Sequence, residues 1–404
     1  MKCMKGATVL TLVFFMMATT SCFNPTEVKI GVIIPQEGSL AHYGYQIRSG
    51  IKMAEAEITE LSSSGKLKKN YQLIFRDEDE TNLESVRTAF NELKAEGCIA
   101  VIGPASSAGT LAVTDLANES EIILLSPSSS SPEINSEGGD WVFRNYPSDT
   151  LEAQKLATNI FGKMLIKKVL MVRAKNTFAE GITYEMLKFG RQGSKKIPNY
   201  VLKFDPDPAK AEAEWPGIVD KIVEENPQGI FMAAYTDELI PLIKEIRTRE
   251  ELKDLFLFTC SAFVWDDVIK ALGKEAVERI IFTGYHWDPN DSKPEIQAFT
   301  EKFVKDYHYQ PSYFAATGYD ALYILVNAID GINHSIPDEV QDQMNQLEYK
   351  SDILGPTDFS KRGDVTRIPD LYWMQDGVKI EMTEENIEEI KRWVLLNQES
   401  DEEE

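Results

Sequence analysis

The sequence predicts an α/β protein built as two domains, and three observations lead to that prediction. Short apolar runs alternate with helical patterns from Val28 onward, which is the order expected for a parallel sheet with helices on both faces. The same alternation begins again after Asp149. The chain has 404 residues, more than one hydrophobic core usually serves, so two domains are expected.

The first half of the chain contains four predicted strands. The earliest, Lys29–Ile34, is a nearly continuous apolar run closed by Pro35, which is typical of a buried strand. The other three strands are predicted at Tyr71–Phe75, Ile99–Ile102 and Ile122–Leu125. Helical spacing of apolar residues predicts helices over Ile47–Ile58, Leu83–Glu96 and Thr110–Glu119.

The second half repeats this rhythm. Strands are predicted at Lys168–Val172, Tyr200–Phe204, Gly229–Ala233, Leu255–Phe258 and Arg279–Phe282. Helices are predicted at Asp149–Phe161, Phe178–Arg191, Trp215–Glu225, Asp237–Arg249, Pro294–Tyr307 and Phe314–Ile329. The dipeptide Asp376-Gly377 between two apolar runs then predicts a hairpin.

The segment 382–404 is an amphipathic, acidic stretch. Ile387, Ile390, Trp393 and Val394 form an apolar stripe among acids, and the chain ends in Asp401-Glu-Glu-Glu404. One interpretation is a C-terminal helix packed on the protein with a frayed acidic tail. The other is a docking helix for a partner.

The N-terminus has the layout of a signal peptide over residues 1–21. Lys2 and Lys5 precede an apolar run that is too short for a comfortable membrane span, and Thr19-Thr20-Ser21-Cys22 follows. Cys22 stands where a bacterial lipoprotein is cleaved and acylated. An ordinary cleaved signal with an incidental cysteine is the alternative, because such sites usually carry Leu where Thr19 stands.

Composition limits the possible partners. The formal net charge is -23, which argues against nucleic acid as a partner. No later stretch is long and apolar enough to cross a bilayer, so a lipid anchor would be the only membrane attachment. After the signal, only Cys98 and Cys260 remain beside Cys22; they either form one disulfide or stay as two buried free thiols.

The sequence contains none of the common catalytic motifs. The sequence lacks the glycine-rich nucleotide-binding patterns, the zinc-protease motif and the nucleophile elbow. No histidine or cysteine has metal-ligand spacing. We therefore expect no enzyme activity, no catalytic residues, no cofactor and no metal.

Two polar loops come directly after predicted strands. Gly103–Gly109 follows Ile99–Ile102, and Ser126–Ser131 follows Ile122–Leu125. Both loops emerge at the carboxyl edge of a parallel sheet, where open α/β folds bind ligands. Serine hydroxyls and backbone N–H groups near a helix N-terminus suit an anionic group. Capping of helices and filling of turns is the plainer interpretation for any single serine.

Several segments, taken in order and spacing, resemble a known family. They are Lys29–Pro35 with Gly44, Val101–Ser107, Leu125–Ser130, Phe178–Gly181, Tyr313–Leu322 and Leu354–Asp364. The chain resembles the type I periplasmic binding proteins of the Leu/Ile/Val-binding family, the solute receptors of ABC importers, over about residues 28–381. The resemblance implies two Rossmann-like lobes with parallel sheets, joined by three crossovers and closing on a ligand like a hinged trap.

The resemblance also implies where the lobes divide. The first lobe would comprise residues 28–144 plus 286–353, and the second residues 145–285 plus 354–381. The crossings would lie near Phe143–Tyr146, Gly284–Trp287 and Leu354–Phe359.

The family's ligand-binding positions fall on seven residues. The carboxylate-binding serine falls on Ser107, beside Ser106, and the pair that receives carboxylate and ammonium falls on Ser129 and Ser130. The expected aromatic walls fall on Tyr43, Phe178 and Tyr235.

One position departs from the family's pattern. The acid that pairs with a ligand ammonium would lie in the loop Thr259–Phe263, which holds no carboxylate. An amide or a short carboxylate is therefore expected alongside an amino acid as ligand. The implied partners are this small polar ligand and an ABC permease, at the periplasm or cell surface. A sensor that signals to a membrane partner is the alternative.

Overall fold

The structure is a computed structural model that describes residues 26–194, 196–332, 336–359 and 363–401. The described strands are β1 (Thr26–Ile34), β2 (Lys69–Asp77), β3 (Ala100–Ile102), β4 (Ile123–Ser126), β5 (Val142–Arg144), β6 (Val169–Ala174), β7 (Leu202–Phe204), β8 (Gly229–Ala233), β9 (Phe256–Thr259), β10 (Ile280–Gly284), β11 (Glu348–Ser351), β12 (Gly355–Asp358), β13 (Asp370–Gln375) and β14 (Val378–Glu381). The described helices are α1 (Ala41–Ser63), α2 (Leu83–Ala95), α3 (Ser107–Ser120), α4 (Glu133–Glu137), α5 (Asp149–Ala157), α6 (Thr177–Gly193), α7 (Pro208–Glu225), α8 (Thr236–Arg247), α9 (Trp265–Leu272), α10 (Pro294–Tyr307), α11 (Tyr313–Asp330), α12 (Pro337–Asn345) and α13 (Glu384–Asp401).

Two separate sheets confirm the predicted α/β fold with two lobes. The first lobe is built on a parallel sheet in the order β2-β1-β3-β4-β5. The second lobe is built on the order β14-β13-β10-β9-β8-β6-β7, in which the pairs β14–β13 and β13–β10 are antiparallel and the other pairs are parallel. Each sheet has its own buried apolar core, because helices cover both faces of the parallel strands.

The strand and helix pattern follows the predicted rhythm, with local differences. The helix predicted over Asp149–Phe161 widens into a π-helix at Thr158–Lys163. No element was predicted for α9, for α12 or for the antiparallel pair β11 and β12. The two helices are only 8 and 9 residues long, which is too short for a helical pattern to stand out from the surrounding sequence.

Residues beyond 354, where the last segment of the second lobe was expected to begin, pack on the first lobe. Phe359 and Val365 belong to the core of the first lobe, and Phe359 packs edge-on against Phe143. The Arg144 N–H donates to the Gly363 carbonyl at 2.9 Å. We propose that the chain enters the second lobe only near Arg367, whose guanidinium donates to the Asn145 carbonyl at the first crossing.

The C-terminal helix α13 packs against the second lobe. Ile387, Ile390 and Val394 are buried in the core of that lobe. Trp393 lies edge-on against Phe256 at a ring-centre distance of 5.2 Å. This packing corresponds to the first interpretation of the segment, in which the apolar stripe covers the protein itself. Among the helices that the structure describes, none combines the length and apolar character needed to cross a membrane.

Candidate functional site

The loop after β3 forms the first part of a cleft between the lobes. Gly103 has a φ of +102°, and a Cβ there would lie 2.0 Å from the Ile33 carbonyl oxygen, so only glycine fits. Ser106 is the N-cap of α3, and its hydroxyl accepts the Gly109 N–H at 2.9 Å. The Ser107 hydroxyl accepts the Ser131 N–H at 3.2 Å, which joins this loop to the next one.

A buried carboxylate supports the same loop from behind. Glu78 is 2% exposed and accepts the Ala105 N–H at 2.6 Å and the Ser106 N–H at 2.9 Å. Burial raises the pKa of Glu78 to about 7, although these hydrogen bonds to its charged form act in the opposite direction. The two N–H groups that Glu78 engages hold the loop in position.

The serines in the loop after β4 have different surroundings. The Ser129 side chain is 1% exposed, and its hydroxyl lies 2.7 Å from the Thr110 hydroxyl and accepts from the Ser126 hydroxyl at 2.8 Å. Ser130 borders the cleft instead. Beneath the loop, Arg144 donates to the Ser131 carbonyl at 2.8 Å.

Residues of the second lobe form the opposite wall. The rings of Phe178 and Tyr235 stack at 4.9 Å with an angle of 19° between their planes. Tyr43 crosses from the first lobe, and its hydroxyl donates to the Ala262 carbonyl at 2.8 Å and accepts the Thr236 N–H at 3.1 Å. The two lobes are therefore in direct contact at this point.

The walls enclose a cavity of about 40 Å³, which holds a few water molecules at most. Six of the seven predicted ligand-binding residues line it, and only Ser129 does not. The complete lining is Pro35, Leu40, Tyr43, Ala105, Ser106, Ser107, Ser128, Ser130, Tyr146, Phe178, Tyr235, Ser261, Ala262 and Phe314. The binding role of these residues stays a prediction. The strand-end location of Ser106, Ser107 and Ser130 was expected from the two serine loops, whereas Tyr43, Phe178 and Tyr235 were implied by the family resemblance.

Two buried acids next to the cavity were missed. Glu152, on α5, is fully buried and accepts the Ser261 N–H at 2.8 Å, the Ser261 hydroxyl at 2.5 Å and the Thr283 hydroxyl at 2.7 Å. The loop after β9 contains no carboxylate, as its sequence requires, but Glu152 reaches that loop from another helix. Burial raises the pKa of Glu152.

Asp149 is the second of these acids and lies at the start of α5. It is 1% exposed, and neither of its carboxylate oxygens has a hydrogen bond within normal geometry among the described residues. Its backbone N–H donates to the Ser130 carbonyl at 2.9 Å, so the acid lies directly beside the serine loop. Burial raises the pKa of Asp149 well above its ordinary value, while the Ser130 hydroxyl and Arg144 act to lower it.

The possible metal ligands and the cysteines were also located in the part of the chain that the structure describes. Within the described ranges, no three His, Cys, Asp or Glu side chains are grouped so as to hold a metal ion. Cys98 and Cys260 are both buried free thiols, one in each lobe. Cys22 lies outside the described residues.

The fold and the cleft define a class of protein: a two-lobed binding protein with its site at the strand ends between the lobes. The chain belongs to the periplasmic binding protein family, whose model matches residues 27–376. This membership confirms the resemblance drawn from the sequence. The protein is an extracytoplasmic solute-binding protein and not an enzyme.

Individual relatives agree with that assignment. A Leu/Ile/Val/Thr-binding protein of Salmonella typhimurium is 24% identical over 367 residues, covering 90% of this chain and 94% of that protein. Among solved structures, the branched-chain amino acid transporter substrate binding protein of Streptococcus pneumoniae in complex with isoleucine has a TM-score of 0.73 at 22% identity. The matched region covers 88% of this chain and 100% of that one.

A second structural neighbour carries a different ligand. An ABC transporter solute binding protein of Rhodopseudomonas palustris in complex with benzoate has a TM-score of 0.72 at 20% identity, covering 88% of this chain and 95% of that one. At this identity both structures confirm the fold alone.

Proposed function

We propose that the protein captures an α-amino acid in the cleft and delivers it to an ABC importer. The proposal depends on one observation: Asp149, a buried carboxylate without a hydrogen-bond partner among the described residues, adjoins the serine loop that lines the cavity. A buried carboxylate of this kind is costly unless it is paired, and a ligand ammonium group would pair it.

The opposite pole of such a ligand would meet hydroxyl and N–H groups. Ser107 is the first residue of α3, and Ser130 faces the same cavity. A helix N-terminus together with hydroxyl donors favours a carboxylate. The cavity is thus lined by hydroxyl and N–H donors, and Asp149 lies behind Ser130 at its edge, an arrangement that would suit the two charged groups of an amino acid. An amide or a short carboxylate would use only the donor side.

The importer as partner is supported by the relatives, which are named as binding proteins for amino acids or as transporter substrate-binding proteins. The sensor alternative would use the apolar stripe of α13 to dock a partner, but Ile387, Ile390 and Val394 of that stripe are buried against the second lobe.

Calorimetric titration with L-leucine, 4-methylpentanoate and L-leucinamide tests the ligand class. These probes share one side chain and differ only in the presence of the ammonium and carboxylate groups. We expect leucine to bind tightest. Asp149→Asn should weaken leucine binding at least tenfold and leave 4-methylpentanoate nearly unchanged, because a charge-assisted hydrogen bond is worth roughly 1.5–3 kcal/mol.

Serine variants provide the matched comparison. Ser107→Ala combined with Ser130→Ala should weaken binding of both carboxylates at least tenfold. Ser129→Ala is the control, because Ser129 lies outside the cavity, and it should leave the ratio of the two affinities unchanged. Equal wild-type affinity for leucine and 4-methylpentanoate would contradict the ammonium site, and tighter binding of leucinamide would point to an amide ligand.

We also propose that Cys22 carries a lipid anchor, so that the mature protein is held at a membrane surface. The support is the charged and apolar start of the chain that ends at Cys22. Cys22→Ala should abolish incorporation of labelled palmitate in bacterial cells, with Cys98→Ala as the control that retains it. Persistent labelling of the Cys22 variant would show that another residue is acylated or that Cys22 is incidental.

A further inference from the structure

A large groove adjoins the small cavity between the lobes. Its volume is about 990 Å³, at the upper end of the range common for ligand sites, whereas the cavity has about 40 Å³. Tyr146, Ser261 and Phe314 line both spaces. The Tyr146 hydroxyl lies 2.8 Å from the Ser261 hydroxyl, and the Tyr146 ring stacks on Phe314 at 5.7 Å, so these three side chains form a closed contact between the two neighbouring spaces. A ligand that reaches from the cavity into the groove would have to displace this contact.

Aromatic side chains from both lobes line the groove. On the side of the first lobe, Tyr45 is 55% exposed and its ring stacks on Tyr309 at 4.9 Å with an interplanar angle of 28°. On the side of the second lobe, the groove is lined by Trp265 and by Phe263, which packs edge-on against Phe282 at 5.0 Å. Aromatic surfaces on opposite sides favour a planar, apolar group between them.

The charged groups of the groove disfavour an anionic occupant. The Lys270 ammonium pairs with Asp267 at 2.8 Å, and the Lys379 ammonium lies 4.6 Å from the centre of the Tyr372 ring. Asp266 and Asp288 also line the groove and are exposed. An anionic tail would be repelled by these carboxylates. The two lysines would not offset this repulsion, because Lys270 is paired with Asp267 and Lys379 lies over the Tyr372 ring.

We propose that the groove is a tail subsite, so that the preferred ligand is an amino acid with a long aromatic side chain. The inference rests on the proposed function, since the amino and carboxyl groups would occupy the serine cavity. The side chain would displace the contact between Tyr146 and Ser261 and lie between the aromatic walls. A ligand held in this way contacts both lobes over a longer distance than a small aliphatic amino acid does.

A length series measures the contribution of the tail. Calorimetric affinities would be compared for L-alanine, L-phenylalanine, O-benzyl-L-serine and O-benzyl-L-tyrosine, which carry the same head group. We expect affinity to rise by at least about tenfold from alanine to O-benzyl-tyrosine. Trp265→Ala should remove most of that gain and leave alanine affinity within about twofold.

Two further variants show whether an effect of Trp265→Ala comes from the groove or from misfolding of the protein. Tyr45→Ala changes an exposed ring of the other wall and should also reduce the gain, whereas Tyr184→Ala, at a ring 66% exposed outside the groove, should not. Affinity that stays flat or falls with tail length, or a gain unaffected by both groove variants, would overturn the tail subsite. Ser107→Ala distinguishes the two proposals, because it should weaken alanine binding if the head group binds in the serine cavity. Unchanged alanine affinity in this variant would refute the head-group site itself.

Discussion

The two walls of the cleft satisfy their polar groups in different ways. In the wall of the first lobe, the protein itself occupies the buried groups: Glu78 holds two N–H groups and Ser129 lies within a hydroxyl network. In the second lobe, Glu152 is likewise bonded, but Asp149 has no hydrogen-bond partner among the described residues. The first wall is thus held in place by hydrogen bonds within the protein. The second wall contains a buried carboxyl group, that of Asp149, which the described residues leave without a hydrogen bond.

This difference separates residues that build the cleft from those that would recognise a solute. A bonded buried group contributes to stability, and its removal leaves its partners unsatisfied. A buried charge without a partner lowers stability and gains from a ligand that pairs it. The contrast between Ser129 and Ser130, adjacent in sequence, shows the same division within one loop.

The largest expected effect concerns the support of the first wall. Arg144 is fully buried, pairs with Asp364 and donates to the Ser131 carbonyl. Arg144→Ala should lower the free energy of unfolding by about 3–5 kcal/mol, because it leaves Asp364 without its partner. Urea denaturation measures the change. Arg87→Ala, which removes the partly exposed pair with Asp115, is the control and should cost about 1 kcal/mol or less. Similar losses for both variants would show that Arg144 does not support the wall.

A smaller effect is expected from the pH dependence of Glu78. Its pKa is raised from 4.5 to about 7 by burial, so folding favours the protonated form. The resulting stability is present below pH 4.5 and is lost as the pH rises toward 7, a change of roughly 3 kcal/mol at most. Glu78→Gln should flatten this part of the curve of unfolding free energy against pH.

Other buried acids act in the same direction, so the comparison between wild type and variant is the informative quantity. Burial also raises the pKa of Glu80 to about 7 and that of Glu238 to about 8. The wild-type curve should therefore keep part of its slope when Glu78 is replaced. If the curves of the two proteins are parallel between pH 4.5 and 8, Glu78 is ionised at the same pH in the folded and unfolded chain.

Much of the fold could be predicted because its signals are local. The alternation of apolar runs and helical faces identified both sheets, and the serine loops were placed correctly at strand ends. The missed elements, such as α12, bury only a few apolar residues and leave little periodic pattern. The expected third crossing at residue 354 depended on family resemblance, and only the packing of Phe359 and Val365 locates these residues in the first lobe.

The acids beside the cavity could not be recognised in the same way. Asp149 stands in the first turn of a helix, where an acid is ordinary because it complements the helix dipole. Glu152 is one turn further along and meets Ser261, which lies 109 residues away in the sequence. No periodicity encodes a contact over that separation.

By itself, the sequence determined the α/β class, the family and the strand-end location of the two serine loops, because these follow from local periodicity and from motifs in a fixed order. The tertiary structure decided that Ser129 is buried while Ser130 borders the cavity, that Asp149 lies beside the serine loop, and that an aromatic groove adjoins it. These features depend on the direction of each side chain and on contacts between distant segments, which only the folded chain defines.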